Sequence, residues 1–141
     1  MTKKPAPKKA SREFVYAVGR RRSASARVRL YKGKQASLVN NQPIADYFPG
    51  KVAEFHYTQP LKICDCLGKY YLTARVTGSG KVSQLTAVVH GLSRALDKTN
   101  PEKFHTILKK HKLLTRDSRT RERRKAGQAG RARHKKQSPK R

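Results

Sequence analysis

The sequence has few acidic residues, no tryptophan and no long apolar run. Its 141 residues contain eight Asp plus Glu against 35 Lys plus Arg, a formal net charge of +27. Because a compact domain with so much uncompensated charge repels itself in solution, we expect a polyanionic partner. No stretch approaches the roughly 18 apolar residues of a membrane span, and residues 1–12 lack the apolar segment of a secretory signal. A mitochondrial leader would favour Arg and Ser over this Lys- and Pro-rich start, so we expect a cytoplasmic protein with no membrane partner.

Cysteine is also scarce, and this excludes a disulfide framework. Cys64 and Cys66 are separated by one residue, which places them poorly for a bridge, and there is no third cysteine. Zinc would need two more ligands, and His56 stands at no recognised ligand spacing. We therefore interpret both as small apolar residues in a reducing compartment, and we expect no metal and no cofactor.

The sequence shows no set of residues in a recognised catalytic arrangement. The eight acids are scattered, and none of the five histidines has a carboxylate or thiol partner in a recognised motif. We interpret His90, on a predicted helix, as a packed or RNA-facing side chain rather than a base. The sequence therefore predicts neither an enzyme nor a small-molecule substrate.

The positive charge is distributed over three segments. Residues 1–12 hold five basic residues and no acid, residues 13–114 hold 18 against six, and residues 115–141 hold 12 against two. After Leu114 there is no Leu, Ile, Val, Phe, Tyr or Met, so the last segment cannot form a core. We expect a disordered basic arm at 1–12, a globular domain at 13–114 and an extended basic tail at 115–141.

Hydrophobic periodicity in the middle segment predicts a mixture of strands and helices. Residues 13–18 alternate with Phe14, Tyr16 and Val18 on one side, and 24–31 alternate with Arg27 and Arg29 on the outer side. The other predicted elements are a strand at 37–39, helices at 44–48 and 52–58 with Pro60 ending the second, a less regular piece at 61–66, a strand at 69–77, and helices at 81–97 and 102–111.

The two long helices supply most of the predicted core. Their expected inward residues are Val82, Leu85, Val88, Val89, Leu92 and Leu96 in the first helix, and Phe104, Ile107 and Leu108 in the second. The order of elements predicts an α/β protein of the α+β two-layer kind, a small four-stranded sheet packed by helices, with a long basic C-terminal tail.

A glycine-rich junction, GSGK at 78–81, precedes the longest predicted helix. A Walker loop would need Gly where Arg75 stands and Ser or Thr where Val82 stands, so bound nucleotide is not indicated. Two readings stay open: a bare turn, or a helix start that attracts a nucleic-acid phosphate with Lys81 beside it.

Basic residues cluster in two places that suit phosphate. The segment 19–30, GRRRSASARVRL, places Arg20, Arg21 and Arg22 in a turn and Arg27 and Arg29 on one strand face. The segment 115–127 could form a short helix on a polyanion, and 127–141 has the composition of an extended chain that threads between nucleic-acid helices. The candidate RNA-binding residues in the tail are Arg116, Arg119, Arg121, Arg123, Arg124, Lys125, Arg131 and Arg133.

Three stretches together resemble one protein family. They are YAVGRRRSASARVRL (16–30), YLTARVTGSGKVSQLTAVVHGLSRAL (71–96) and LLTRDSRTRERRKAGQAGRARHKKQSPKR (113–141). In this combination the sequence is similar to the family of the ninth universal protein of the small ribosomal subunit, in its bacterial type. It departs from the family in its Lys- and Pro-rich start and at Gln137, Ser138 and Pro139, where an aromatic residue is more usual.

The resemblance implies a more specific role than composition does. It implies a domain with a left-handed βαβ crossover that binds 16S-type rRNA in the subunit head beside neighbouring head proteins. It also implies that the tail reaches the peptidyl-site tRNA anticodon stem-loop, with Lys140 and Arg141 on its phosphates. These expectations place the protein on a cytoplasmic ribosome rather than an organellar one.

Two other function classes fit the charge less well. An architectural, nucleoid-type DNA-binding protein would share the basic arms, but the sequence has no helix-turn-helix signature and no apolar wedge on an arm. An RNA-processing enzyme or its protein subunit would need a catalytic group or a catalytic RNA, and the sequence offers no such group.

Overall fold

The computed structural model describes residues 13–126 and places five strands and four helices within them. In chain order these are β1 (Val15–Arg21), β2 (Ala24–Lys32), β3 (Leu38–Val39), β4 (Gln42–Pro43), α1 (Ile44–Tyr47), α2 (Lys51–Ile63), β5 (Tyr70–Thr77), α3 (Lys81–Thr99) and α4 (Pro101–Lys110). None of the helices in this part of the chain is long and apolar enough to cross a membrane.

The strands form one open mixed sheet in the order β1-β2-β5-β3-β4. All neighbouring pairs are antiparallel except β3 with β5, which are parallel and are connected through α1 and α2. The predicted α+β class is confirmed. The sheet has five strands where four were predicted, because Gln42 and Pro43 pair with β3 over a length too short for any alternation to show.

The core lies between one face of the sheet and α3. Ala26 and Val28 of β2 are fully buried, as are Val88, Leu92 and Leu96 of α3. The small side chains of Ala17, Ala24, Ala26 and Ala74 leave room for a helix backbone to approach the sheet closely. A Cβ at Gly19 would overlap the carbonyl oxygen of Ala87 and the backbone nitrogen of Gly91, so α3 and β1 touch backbone to backbone.

The free edge of β1 is covered by a stripe of α3 side chains. Lys98 Nζ donates to the Tyr16 carbonyl at 3.0 Å, Arg94 donates to the Val18 carbonyl, and the Arg20 N–H donates to His90 Nδ1 at 3.3 Å. Four helical residues rise about 6 Å and two strand residues about 6.7 Å, so a side chain every fourth residue meets every second strand residue. This stripe protects an edge strand that would otherwise offer unpaired backbone groups to other chains.

Two local predictions were wrong. Pro60 lies inside α2 instead of ending the helix; the lost hydrogen bond and ring clash cost about 3 kcal/mol, which the burial of Pro60 and Leu61 offsets. Val82, predicted inward, is 80% exposed, because it lies in the first turn of α3 beyond the sheet. On β1 the alternation holds: the inward side is Val15, Ala17 and Gly19, and Phe14 and Tyr16 are exposed on the other side.

The two cysteines are free and buried at the end of α2, as the sequence indicated. The Cys66 thiol donates to the Cys64 carbonyl at 3.1 Å, and burial raises the pKa of the Cys64 thiol to about 11. A thiol with so high a pKa is a poor nucleophile. Within residues 13–126 no cluster of His, Cys, Asp and Glu is placed to hold a metal ion.

Candidate nucleic-acid interface

The β1–β2 hairpin presents arginines at its tip. Arg21 pairs with Ala24, so Arg22 and Ser23 alone form the turn, and Arg22 takes φ 53°. That left-handed conformation belongs to the tight turns that match the twist of paired strands. Arg20 and Arg22 are exposed at this tip. Both can therefore reach a polyanion without rearrangement.

The sheet face that points away from α3 carries a second set of cations. We call this surface the open face; it comprises Tyr16, Arg27, Arg29, Leu38, Thr73 and Arg75, which with Asn41 and Ala74 line a shallow cavity of about 540 Å³. Strand register places Arg27 directly across from Arg75, and Arg29 between Tyr16 and Thr73. Among residues 13–126 no carboxylate forms an ion pair with these three arginines.

Arg21 differs from its neighbours because it binds the start of the tail. Its guanidinium donates to the Arg119 carbonyl at 2.6 Å and lies 3.3 Å from the Asp117 carboxylate, and only 16% of its side chain is exposed. Asp117 also accepts from the Arg119 backbone N–H at 3.0 Å and from its guanidinium at 2.9 Å. The Arg119 hydrogen bonds, followed by the charges of Arg119 and Arg21, hold the pKa of the Asp117 carboxyl well below its usual range.

His90 binds the chain three residues before Asp117, at Leu114. Because Nδ1 accepts the Arg20 N–H, the neutral ring carries its proton on Nε2, which faces the Leu114 carbonyl at 3.2 Å. Burial lowers the pKa of this histidine, and the charges of Arg94 and Arg116 lower it further against the effect of the Leu114 bond. We call His90, Arg21 and Asp117 the tail root. Its role is positional, in agreement with a packed His90.

Lys81 lies at the start of α3, where Gly78 and Ser79 have φ 82° and 51°. Its ammonium nitrogen stands 3.2 Å from the centre of the Tyr47 ring and 3.4 Å from the Tyr47 carbonyl. The Tyr47 hydroxyl in turn donates to Gln84 at 2.8 Å. Lys81 thus ties α1 to α3 while it remains exposed.

The described part of the tail is a cationic strip without helix or strand after α4. The short helix predicted for 115–127 is absent from residues 115–126. It was predicted to form on a polyanion. The candidate side chains Arg116, Arg119, Arg121, Arg123, Arg124 and Lys125 are all exposed, with Lys125 2.7 Å from Glu122. The candidates Arg131, Arg133, Lys140 and Arg141 lie outside the described residues.

Sequence reasoning missed three members of this interface. Arg75 was not singled out, although the alternation of TARVT places it on the same face as Arg27 once the two strands pair. Tyr16 was not singled out as a binding residue, although it lies on the open face. Asp117 was counted as a balancing acid, and nothing in its spacing indicated Arg21 as a partner.

Comparison with known proteins gives matches to a single family. A family model described as ribosomal protein S9/S16 matches residues 19–141. Small ribosomal subunit protein uS9 of Maridesulfovibrio salexigens is 49% identical over 120 residues, which cover 85% of this chain and 92% of the relative. The uS9 proteins of Solidesulfovibrio magneticus and Rickettsia conorii are 47% and 43% identical, covering 85% and 91% of this chain and 92% and 84% of their own lengths.

Proposed function

Since this chain belongs to the ribosomal protein S9/S16 family, we propose that it is a structural component of the bacterial-type small ribosomal subunit that binds the subunit rRNA and neighbouring head proteins. The observation that carries the proposal is the set of exposed arginines on the hairpin, the open face and the tail, of which, within residues 13–126, only Arg119 forms an ion pair with an acid. Phosphate contacts from such side chains hold a protein on RNA without reading its sequence.

The proposed rRNA contacts divide by location. At the hairpin and on the sheet they are Arg20, Arg22, Arg27 and Arg29, with Lys81 at the start of α3, and in the tail they are Arg116, Arg119, Arg121, Arg123, Arg124, Lys125, Arg131 and Arg133. Arg21 contributes mainly by holding the tail root, because its guanidinium is engaged by Asp117 and Arg119. The folded domain then sets the direction in which residues 114–119 leave it, which a flexible basic segment alone would not achieve.

The proposal distinguishes RNA from DNA as the partner. A tagged chain recovered from cells should retain its nucleic-acid partner after DNase and lose it after RNase, because the surfaces above are proposed to bind rRNA. Recovery of DNA that resists RNase would overturn the proposal in favour of a nucleoid protein.

We further propose that the tail end contacts peptidyl-site tRNA through Lys140 and Arg141. A tRNA must be held whatever its sequence, so the suitable contact is a cation on phosphate, and Arg141 offers a planar fork of donors for it. Deletion of both residues should leave subunit assembly intact and speed tRNA dissociation from the peptidyl site about two- to thirtyfold, the range expected for two exposed ion pairs.

A matched control removes the same charge elsewhere in the tail. Lys135→Ala with Lys136→Ala should leave tRNA dissociation close to that of the parent ribosome if the terminal pair makes the contact. Equal dissociation rates for the deletion and the parent, or equal losses for deletion and control, would contradict the tRNA proposal while leaving the rRNA proposal standing.

A further inference from the structure

The open face places two positively charged side chains next to each other. Arg27 and Arg75 stand directly opposite each other on β2 and β5, and like charges in that position destabilise a sheet. Both side chains are exposed, and within residues 13–126 neither forms an ion pair with an acid. Two guanidinium groups on one row of a sheet therefore form a site for an anion, and phosphate matches the donor geometry of arginine.

Aromatic rings stand beside this cationic row. Tyr16 is 43% exposed, neighbours Arg29 in the strand register, and lines the same cavity as Arg27 and Arg75. Phe14 is 45% exposed at the end of the face, where the Arg29 guanidinium lies 5.1 Å from its ring centre. Exposed rings beside arginines are the usual platform for unstacked bases.

We propose that the open face binds an unpaired nucleotide segment, with a base stacked on Tyr16 and its flanking phosphate held by Arg27 and Arg75. This inference rests on the proposed rRNA-binding function and adds the kind of RNA bound. A duplex fits the face less well, because its bases are already stacked and cannot reach a tyrosine ring on a sheet surface. An acidic protein segment could neutralise the arginines but would leave the stacking ring without a matching flat partner.

Crosslinking in the assembled particle locates the contact. Ultraviolet irradiation of purified small subunits, followed by digestion and mass spectrometry, should give a nucleotide adduct on Tyr16 within the peptide EFVYAVGR at 13–20. Adducts on tail peptides from 115–126 serve as the internal reference for RNA contact. Tail adducts without any adduct on the open face would overturn this inference alone, whereas no RNA adduct anywhere would overturn the proposed function as well. A crosslink from the open face to another protein would also overturn it.

Two substitutions at Tyr16 separate stacking from charge. Tyr16→Thr keeps a residue that favours strands but removes the ring, and should weaken binding of the full chain to small-subunit rRNA about tenfold with an unchanged salt dependence. Tyr16→Phe keeps the ring and should bind within about twofold of the parent. Arg27→Gln should weaken binding and also lower the slope of log affinity against log salt by about 0.7.

Contradictory results are equally specific. Parental affinity for Tyr16→Thr would exclude stacking. A loss equal in Tyr16→Phe and Tyr16→Thr would assign the effect to the hydroxyl and not to the ring. Arg27→Gln with a parental salt slope would show that this arginine does not hold a phosphate.

Discussion

Two glycines decide how closely the longest helix approaches the sheet. Gly19 on β1 faces Gly91 on α3, and a Cβ on Gly91 would stand 2.7 Å from a methyl carbon of Val28. Neither residue has the positive φ that usually explains a glycine, so the reason is space and not conformation. From the sequence, Gly91 appears only as an interruption in a helical pattern.

We expect Gly19→Ala to destabilise the full chain by about 3 kcal/mol, the upper end for overpacking, because the added methyl must displace backbone atoms of Ala87 and Gly91. Denaturant unfolding measures this change. Gly80→Ala is the control, since nothing lies within 4 Å of its Cβ position, and as an N-cap substitution it should cost about 1 kcal/mol or less. Equal effects of the two substitutions would show that α3 does not touch β1 as described.

His90 gives the protein a predictable response to acid. Its pKa is lowered from 6.5 in the folded chain, so the unfolded chain binds the proton more readily. The contribution of His90 is therefore fully present above about pH 6.5 and is lost as pH falls below that value toward its folded pKa.

The substitution His90→Gln removes the titrating ring and tests this directly. The free energy of unfolding of the parent should fall as the pH drops below about 6.5, and the variant should show a shallower fall. Parallel curves for the two proteins would contradict the assignment of that fall to His90.

At the scale of elements, alternation and spacing located most of the structure. The strand at 69–77 and the helices at 81–97 and 102–111 lie within two residues of β5, α3 and α4 at each end. Periodicity failed where it had little to act on: β4 has two residues, and Pro60 continues a helix because its burial outweighs a local rule. The stripe from His90 to Lys98 on the β1 edge could not be predicted, since it depends on which strand α3 crosses.

Removing a contact of the tail root should loosen the start of the tail without unfolding the domain. Asp117→Ala removes the acceptor of the Arg119 N–H and the partner of Arg21, so amide exchange across 115–120 should become faster. The melting temperature should stay within about 3 °C of the parent, because Asp117 is only partly buried and lies outside the core.

The matched control for this change is Glu122→Ala, which removes an acid that pairs only with Lys125 in the described part of the chain. It should leave exchange at 115–120 unchanged. An equal increase in the exchange rate in Glu122→Ala, or no increase in Asp117→Ala, would show that the tail is not anchored through Asp117.

For the whole molecule, charge is the dominant property, and the sequence predicted its consequence. The count of +27, with acids scattered, indicated a polyanion before any fold was known. The count did not reveal that Arg75 joins Arg27 on one face, or that Arg21 is engaged within the chain, because both facts depend on three-dimensional pairing. Composition thus predicts the class of partner, while register and contacts define which side chains are free to meet it.

Sedimentation in cell extracts tests whether this chain is a structural component of the small ribosomal subunit. A tagged full-length chain, expressed in cells and run on sucrose gradients at low and high salt, should travel with the small ribosomal subunit in both. Because salt weakens phosphate contacts, it should remove a loosely bound basic protein, whereas packing inside the particle should retain this chain. A chain that stays at the top of the gradient, or leaves the subunit as salt rises, would contradict its role as a structural component of the ribosome.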